Sequence, residues 1–224
     1  MIATLIIFVI SCKKDKENES NNPIPSITVT DIDGNIYQTI TIGSQVWLKE
    51  NLKVTHYRNG DTIPNITDCA TWGSLTNGAY CDYDNTPSNS AIHGRLYNFY
   101  AVNDSRNIAP TGWHVPTDAE WTTLKDYLGG VSIAGGKLKE IDTTHWISPN
   151  TGANNITQFT ALPSGCRSDM GDAFWVIGYF CYFWTATEYS SDHGWVYSLH
   201  YNDESLGKNY SFKKDGHSVR CIKD

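Results

Sequence analysis

The sequence predicts one α+β domain behind a short N-terminal leader, and three observations carry that reading. Segments that alternate apolar and polar residues lie toward both ends of the chain, two stretches of helical spacing lie between them, and turn-forming residues separate the segments. A chain of 224 residues that is 40% apolar, 12% aromatic and 18% charged can bury a core, which excludes disorder. Seventeen basic against 24 acidic side chains give a net charge of −7, so no phosphate-neutralising face and no nucleic-acid partner is expected. Eight tryptophans and thirteen tyrosines suit either a loop-rich core or a recognition surface.

Residues 2–10 form an unbroken apolar run, shorter than the roughly 20 residues that span a bilayer as a helix. A secretory h-region fits the run, although no Lys or Arg precedes it. It ends in Val9, Ile10, Ser11 and Cys12, which resembles the lipobox of bacterial lipoproteins. That resemblance implies a signal peptide over residues 1–11 and lipid on Cys12, so that a membrane is the first expected partner. Residues 12–26 hold the lipidated cysteine and a charged, proline-containing tether that buries too little to offset its chain entropy. Its lysines and acids also resemble the surface-export signal of Bacteroidetes lipoproteins, which implies an outer-membrane anchor and a domain facing the outside.

The domain occupies residues 27–224. Residues 27–30 and 36–42 alternate around the Asp31–Asn35 turn, where Asp33 and Gly34 predict a hairpin. A calcium loop does not fit the same residues, because the glycine comes too early and Ile42 stands at the twelfth position. A third strand is expected over Gln45–Leu52, then a structured loop region over residues 58–90. Leu96, Phe99, Tyr100 and Asn103 share one side of a helix expected over Ser90–Asn103. A second helix starts at a capping box, Thr117 with Glu120, carries Trp121, Leu124 and Leu128, and stops at Gly129 and Gly130. Beyond it the pattern gives a brief helix over 135–140 and strands over 159–162, 174–186, 194–201 and 218–222, the first and last strands being free to pair.

Cys12 apart, five cysteines remain. Proximity suggests the pairs Cys69–Cys81 and Cys166–Cys181, each closing a loop worth roughly 3 kcal/mol, with Cys221 left over. No CxxC, HxxxH or HExxH spacing occurs, so neither a metal nor another cofactor is expected. His114 and Glu120 read as a strand histidine and a capping glutamate, and Ser164 as a turn residue, so no catalytic group is assigned. The stretch from Thr187 to Tyr210 interleaves aromatic and small polar residues, as adaptable recognition surfaces do. Alternation sends Trp195, Tyr197 and Leu199 inward, leaving Tyr189, Asp192, His193, His200, Tyr201 and Asn202 as the candidate ligand-binding residues.

Six segments together resemble the Fibrobacter succinogenes major paralogous domain: Asp31–Tyr37 (DIDGNIY), Ile42–Leu52 (IGSQVWLKENL), Leu96–Val102 (LYNFYAV), Pro110–Trp121 (PTGWHVPTDAEW), Phe159–Gly165 (FTALPSG) and Ser218–Cys221 (SVRC). The resemblance implies a secreted or lipid-anchored protein and brings no activity with it. Gly112–Trp121 and Val219–Cys221 are also similar to the sulfatase-modifying-factor, or formylglycine-generating, branch of the C-type-lectin-like fold. This implies a twisted antiparallel sheet with two helices and long irregular loops. The oxidase of that branch needs paired cysteines near its C-terminus, and only Cys221 stands there. Relatives often carry a cysteine before the Pro110–Trp113 segment, where this chain has Ala109. The expected function is a non-enzymatic, lipid-anchored binding or accessory module for a protein or glycan of the cell envelope. The alternatives are a structural subunit of an outer-membrane protein complex, or a divergent modifying-factor-like enzyme using His114, Glu120 or a metal; Tyr201, Asn202 and Asp203 also resemble the calcium triplet of sugar-binding lectins without its partner triplet.

Overall fold

In the computed structural model, which describes residues 28–169 and 174–224, the first hairpin closes on Asp31. One Asp31 oxygen accepts from the backbone N–H groups of Asp33 and Asn35, and the other from the Asn35 amide and the Tyr37 hydroxyl. The turn thus uses both oxygens itself, joining β1 (Thr28–Thr30) to β2 (Ile36–Ile42), with β3 (Gln45–Leu48) following. The leader, Cys12 and the tether lie outside the described residues.

The next elements are short: α1 (Cys69–Gly73), β4 (Tyr80–Cys81), α2 (Pro87–His93), β5 (Leu96–Tyr97), α3 (Phe99–Val102) and β6 (Trp113–His114). The single helix expected over 90–103 is therefore two helices and a strand. Gly94 breaks it: its φ is +77°, and a Cβ there would stand 2.5 Å from Asn51 Cβ, so chain direction changes where only glycine fits. The best-signalled helix forms as expected: α4 (Asp118–Tyr127) starts at a complete Thr117–Glu120 capping box. Then come α5 (Val131–Leu138), β7 (Cys166–Arg167), β8 (Phe174–Trp175), β9 (Phe180–Glu188), β10 (His193–His200), β11 (Gly207–Phe212) and β12 (Ile222–Lys223). Residues 159–162 make no strand of their own; Ala161 only bridges Lys139.

The architecture is mixed α and β, with curled antiparallel sheets and few helices. The two larger sheets run β1-β2-β3-β12-β6 and β11-β10-β9, and β4-β5 and β7-β8 form two-stranded pairs. Residues 216–223 join them: His217 exchanges hydrogen bonds with Tyr97, Ser218 with the Tyr182–Trp184 stretch of β9, Val219 accepts from Leu52, and Ile222 pairs with Trp47 and His114. The last strand pairs with β3 and β6 rather than with the first.

Six of the eight tryptophans are buried: Trp47, Trp72, Trp113, Trp121, Trp146 and Trp184. Trp121 stacks on Tyr197 with centroids 5.0 Å apart and lies 5.0 Å from Trp47, so most aromatic content is core. Three cations are buried in nests of carbonyl oxygens. Arg220 donates to Leu48, Lys49 and Phe159 carbonyls and to the Asn51 side chain. Arg167 donates to the carbonyls of Ile66, Thr67 and Asp68 while lying over Trp72. Lys139 Nζ donates to the carbonyls of Thr151, His200 and Asp203 at 2.8–2.9 Å. Each cation fastens loops lacking a ladder of their own, a role the low dielectric makes strong.

Candidate binding face

Of the two tryptophans outside the core, Trp195 lies within β10 and Trp175, on β8, lines a groove with Val196 of β10 and Asn209 of β11. β10 pairs with β11 through His193↔Phe212 and Trp195↔Tyr210, so these four side chains share one face. Tyr189 arrives from the β9–β10 turn and stacks on Tyr210, rings 4.5 Å apart and 6° from parallel. Its edge meets Trp195 at 4.7 Å, and His193 lies 4.3 Å from Phe212. Tyr189, Tyr210 and Phe212 are 47%, 51% and 46% exposed, so the cluster faces solvent rather than a neighbouring element. Lys208 Nζ sits 4.0 Å from the Trp195 ring and 2.8 Å from Asp118, and Lys213 pairs with Glu188 at 2.8 Å. Aromatic rings with charges held at their rim make the platform.

The six sequence-derived site residues do not form one site. Tyr189 and His193 belong to the platform, and Asp192 borders it as an exposed turn residue whose carbonyl accepts from Lys213 N–H. His200, Tyr201 and Asn202 lie at the other end of β10, seven residues and therefore about 24 Å from His193. His200 also points to the opposite face, where its ring packs 4.4 Å from Phe180 and burial lowers its pKa. Tyr201 packs edge-on against Tyr179 at 5.2 Å, and the carbonyls of His200 and Asp203 are engaged by Lys139. Asp203 itself accepts from the Ser205 N–H and hydroxyl, which is turn chemistry. Sequence reasoning missed Lys208, Tyr210, Phe212 and Trp175; the 210–212 alternation on the partner strand was the available signal. Of the three residues expected inward, Tyr197 and Leu199 are buried, whereas Trp195 is half-buried in the platform.

The expected disulfides are corrected: Cys69, Cys81, Cys166, Cys181 and Cys221 are all free thiols. Cys81 is buried beside Trp72 and Leu96, while Cys69 opens α1 half-exposed. Cys181 packs with Phe183 and Leu199 in the core, whereas Cys166 lines an outer groove with Tyr182, one residue along β9 and hence on its other face. Burial pushes the Cys81 and Cys166 thiols up to about 12 and Cys181 to about 11.

Elsewhere the polar clusters are internally consumed. His114 lies between Glu120 and Asp224, so both ring nitrogens are engaged. His93, which burial brings down to about 4, meets His145 edge-on, and His145 is held by Glu140. Among the described residues no group of three His, Cys, Asp or Glu side chains is placed to hold a metal ion.

A family model described as the Fibrobacter succinogenes major domain matches residues 40–223, which takes in the platform and both larger sheets except β1 and the start of β2. No curated protein matches the chain, and no solved structure does.

Proposed function

Because the chain belongs to the Fibrobacter succinogenes major domain family, with 40–223 as its matching span, we propose that this member is a non-enzymatic binding module of the cell envelope. Lipid on Cys12 would hold it to the outer membrane with the domain outward, and the platform would grip a protein or glycan. The observation that carries the reading is the stacked Tyr189–Tyr210 pair, half-exposed beside the equally exposed Phe212 on one sheet face. Rigid rings with few rotors lose little entropy on binding, which is why they dominate recognition surfaces. We also read the architecture as C-type-lectin-like, distantly akin to the modifying-factor branch; the curled sheet, the capped α4 and the long loops support this.

Capture from envelope extracts and on a glycan array tests the proposal. Tyr189→Ala and His193→Ala should weaken capture, while Tyr201→Ala at the far end of β10 should not. Loss of capture only in Tyr201→Ala, or no capture by the unmodified protein, would refute it.

A second reading, a permanent subunit of an outer-membrane assembly, is favoured by a separate apolar surface where Tyr127 and Ile156, 65% and 75% exposed, line one groove. Co-purification with a fixed partner through detergent extraction would separate it from a receptor.

A further inference from the structure

Behind the platform, on the other face of the same sheet, a groove of about 370 Å³ runs between the β7–β8 hairpin and β11. Resting on the reading of this sheet as a binding face, we propose that the groove is a subsite for one neutral hexopyranose unit of a glycan. Its volume falls in the range of small-ligand sites.

The walls supply the apolar half of such a site. Trp175 and Tyr182 line it, and Trp175 is 55% exposed there although tryptophan is buried almost everywhere else in the chain. A pyranose presents a face of C–H groups that packs on such rings. The presentation of Trp175 is built at a cost. Val176, the next residue, has φ +62°, a conformation that β-branched residues avoid by about 1–2 kcal/mol. Gly165 lets the neighbouring backbone come close, since a Cβ there would stand 2.5 Å from the Trp175 carbonyl.

The floor holds an unpartnered acceptor. Asp215 accepts from the Ser211 hydroxyl and from the N–H groups of Asp169 and Phe212. Having given its proton to Asp215, Ser211 Oγ accepts at 2.8 Å from Nε2 of His217, which fixes the proton on that nitrogen. Nδ1 of His217 is then a lone-pair acceptor, and it has no partner among the described residues although His217 is only 3% exposed. A buried acceptor left unpaired costs about 1–3 kcal/mol, which a ligand O–H recovers. Burial holds the imidazole neutral by lowering its pKa to about 3, and keeps the Cys166 thiol neutral as well. Arg167 and Asp215 both border the groove with their charges engaged, Arg167 by three carbonyls and Asp215 by three donors, so neither charge is free to pair with a charged sugar and a neutral one is favoured. The exposed Asn209 amide at the rim completes a donor and acceptor pair for ring hydroxyls.

Saturation-transfer NMR with the full domain tests this, using methyl glycosides of glucose, galactose and mannose at millimolar concentration against methyl glucuronide. At least one neutral glycoside should bind in preference to the glucuronide. Trp175→Ala should weaken binding by about tenfold or more, whereas Tyr201→Ala at the far end of β10 should leave it within about twofold. Absence of neutral-glycoside binding, or binding indifferent to Trp175→Ala and to Asn209→Ala, overturns the proposal. If envelope capture through Tyr189 survives in that case, the groove proposal alone falls; if capture is absent too, the binding-face reading falls with it.

Discussion

Glu120 uses both carboxylate oxygens at once: Oε1 lies 2.8 Å from Nε2 of His114, and Oε2 accepts from the Thr117 N–H at 2.7 Å and from its hydroxyl at 2.8 Å. With Nδ1 of His114 2.7 Å from Asp224, both ring nitrogens are engaged. The pair is a clasp between β6, α4 and the last residues of the chain.

The clasp should show in pH-dependent stability. Burial lowers the His114 pKa, but hydrogen bonds to Asp224 and Glu120 outweigh it and the net shift is upward from 6.5. Its stabilisation is therefore full below about pH 6.5 and lost as pH rises through the raised value. Glu120 is shifted down from 4.5, because its hydrogen bonds from Thr117 and His114 outweigh burial, so its share is lost in acid. Thermal melts of His114→Gln should fall below the unmodified protein by the equivalent of about 1 kcal/mol near pH 6, with the gap closing above pH 8.

Lys139 fixes the turn after β10 from beneath. Burial brings its pKa to about 8, so at neutral pH it still donates to Thr151, His200 and Asp203. Lys139→Met fills the space but leaves three carbonyls without their donor. A loss of about 3 kcal/mol in urea denaturation is expected, with the platform rings unaffected.

The cysteines give a chemical test of the corrected pairing. Thiol titration of unreduced, denatured protein should find all five of Cys69, Cys81, Cys166, Cys181 and Cys221 free, and in the native state Cys69 should react first.

What the sequence disclosed follows the range of the forces involved. The Asp31–Asn35 hairpin and the Thr117–Glu120 helix start were legible because both are closed by residues within four positions. The 90–103 helix was misread because its spacing is helical while Gly94 must pass against Asn51, 43 positions away. The candidate site was half legible. Adjacency placed His200–Asn202 with His193, but a strand carries neighbours in sequence steadily apart, and the rings that complete the platform come from β11. Proximity likewise suggested Cys166–Cys181, and the two faces of β9 separate them.

Because the platform rings are exposed, their removal should affect binding far more than folding. Phe212→Ala and Tyr189→Ala should each cost no more than about 1 kcal/mol in denaturant melts. A loss of several kcal/mol would mark the cluster as structural.

Tyr210 stacks on Tyr189 and pairs with Trp195 across β10 and β11, at the centre of the platform. The most direct test of the binding-face account is thus the affinity of Tyr210→Ala for envelope ligand, measured by titration beside the unmodified protein. The account predicts a loss of at least about tenfold in affinity with the melting temperature nearly unchanged. Equal affinity in the two proteins would contradict it.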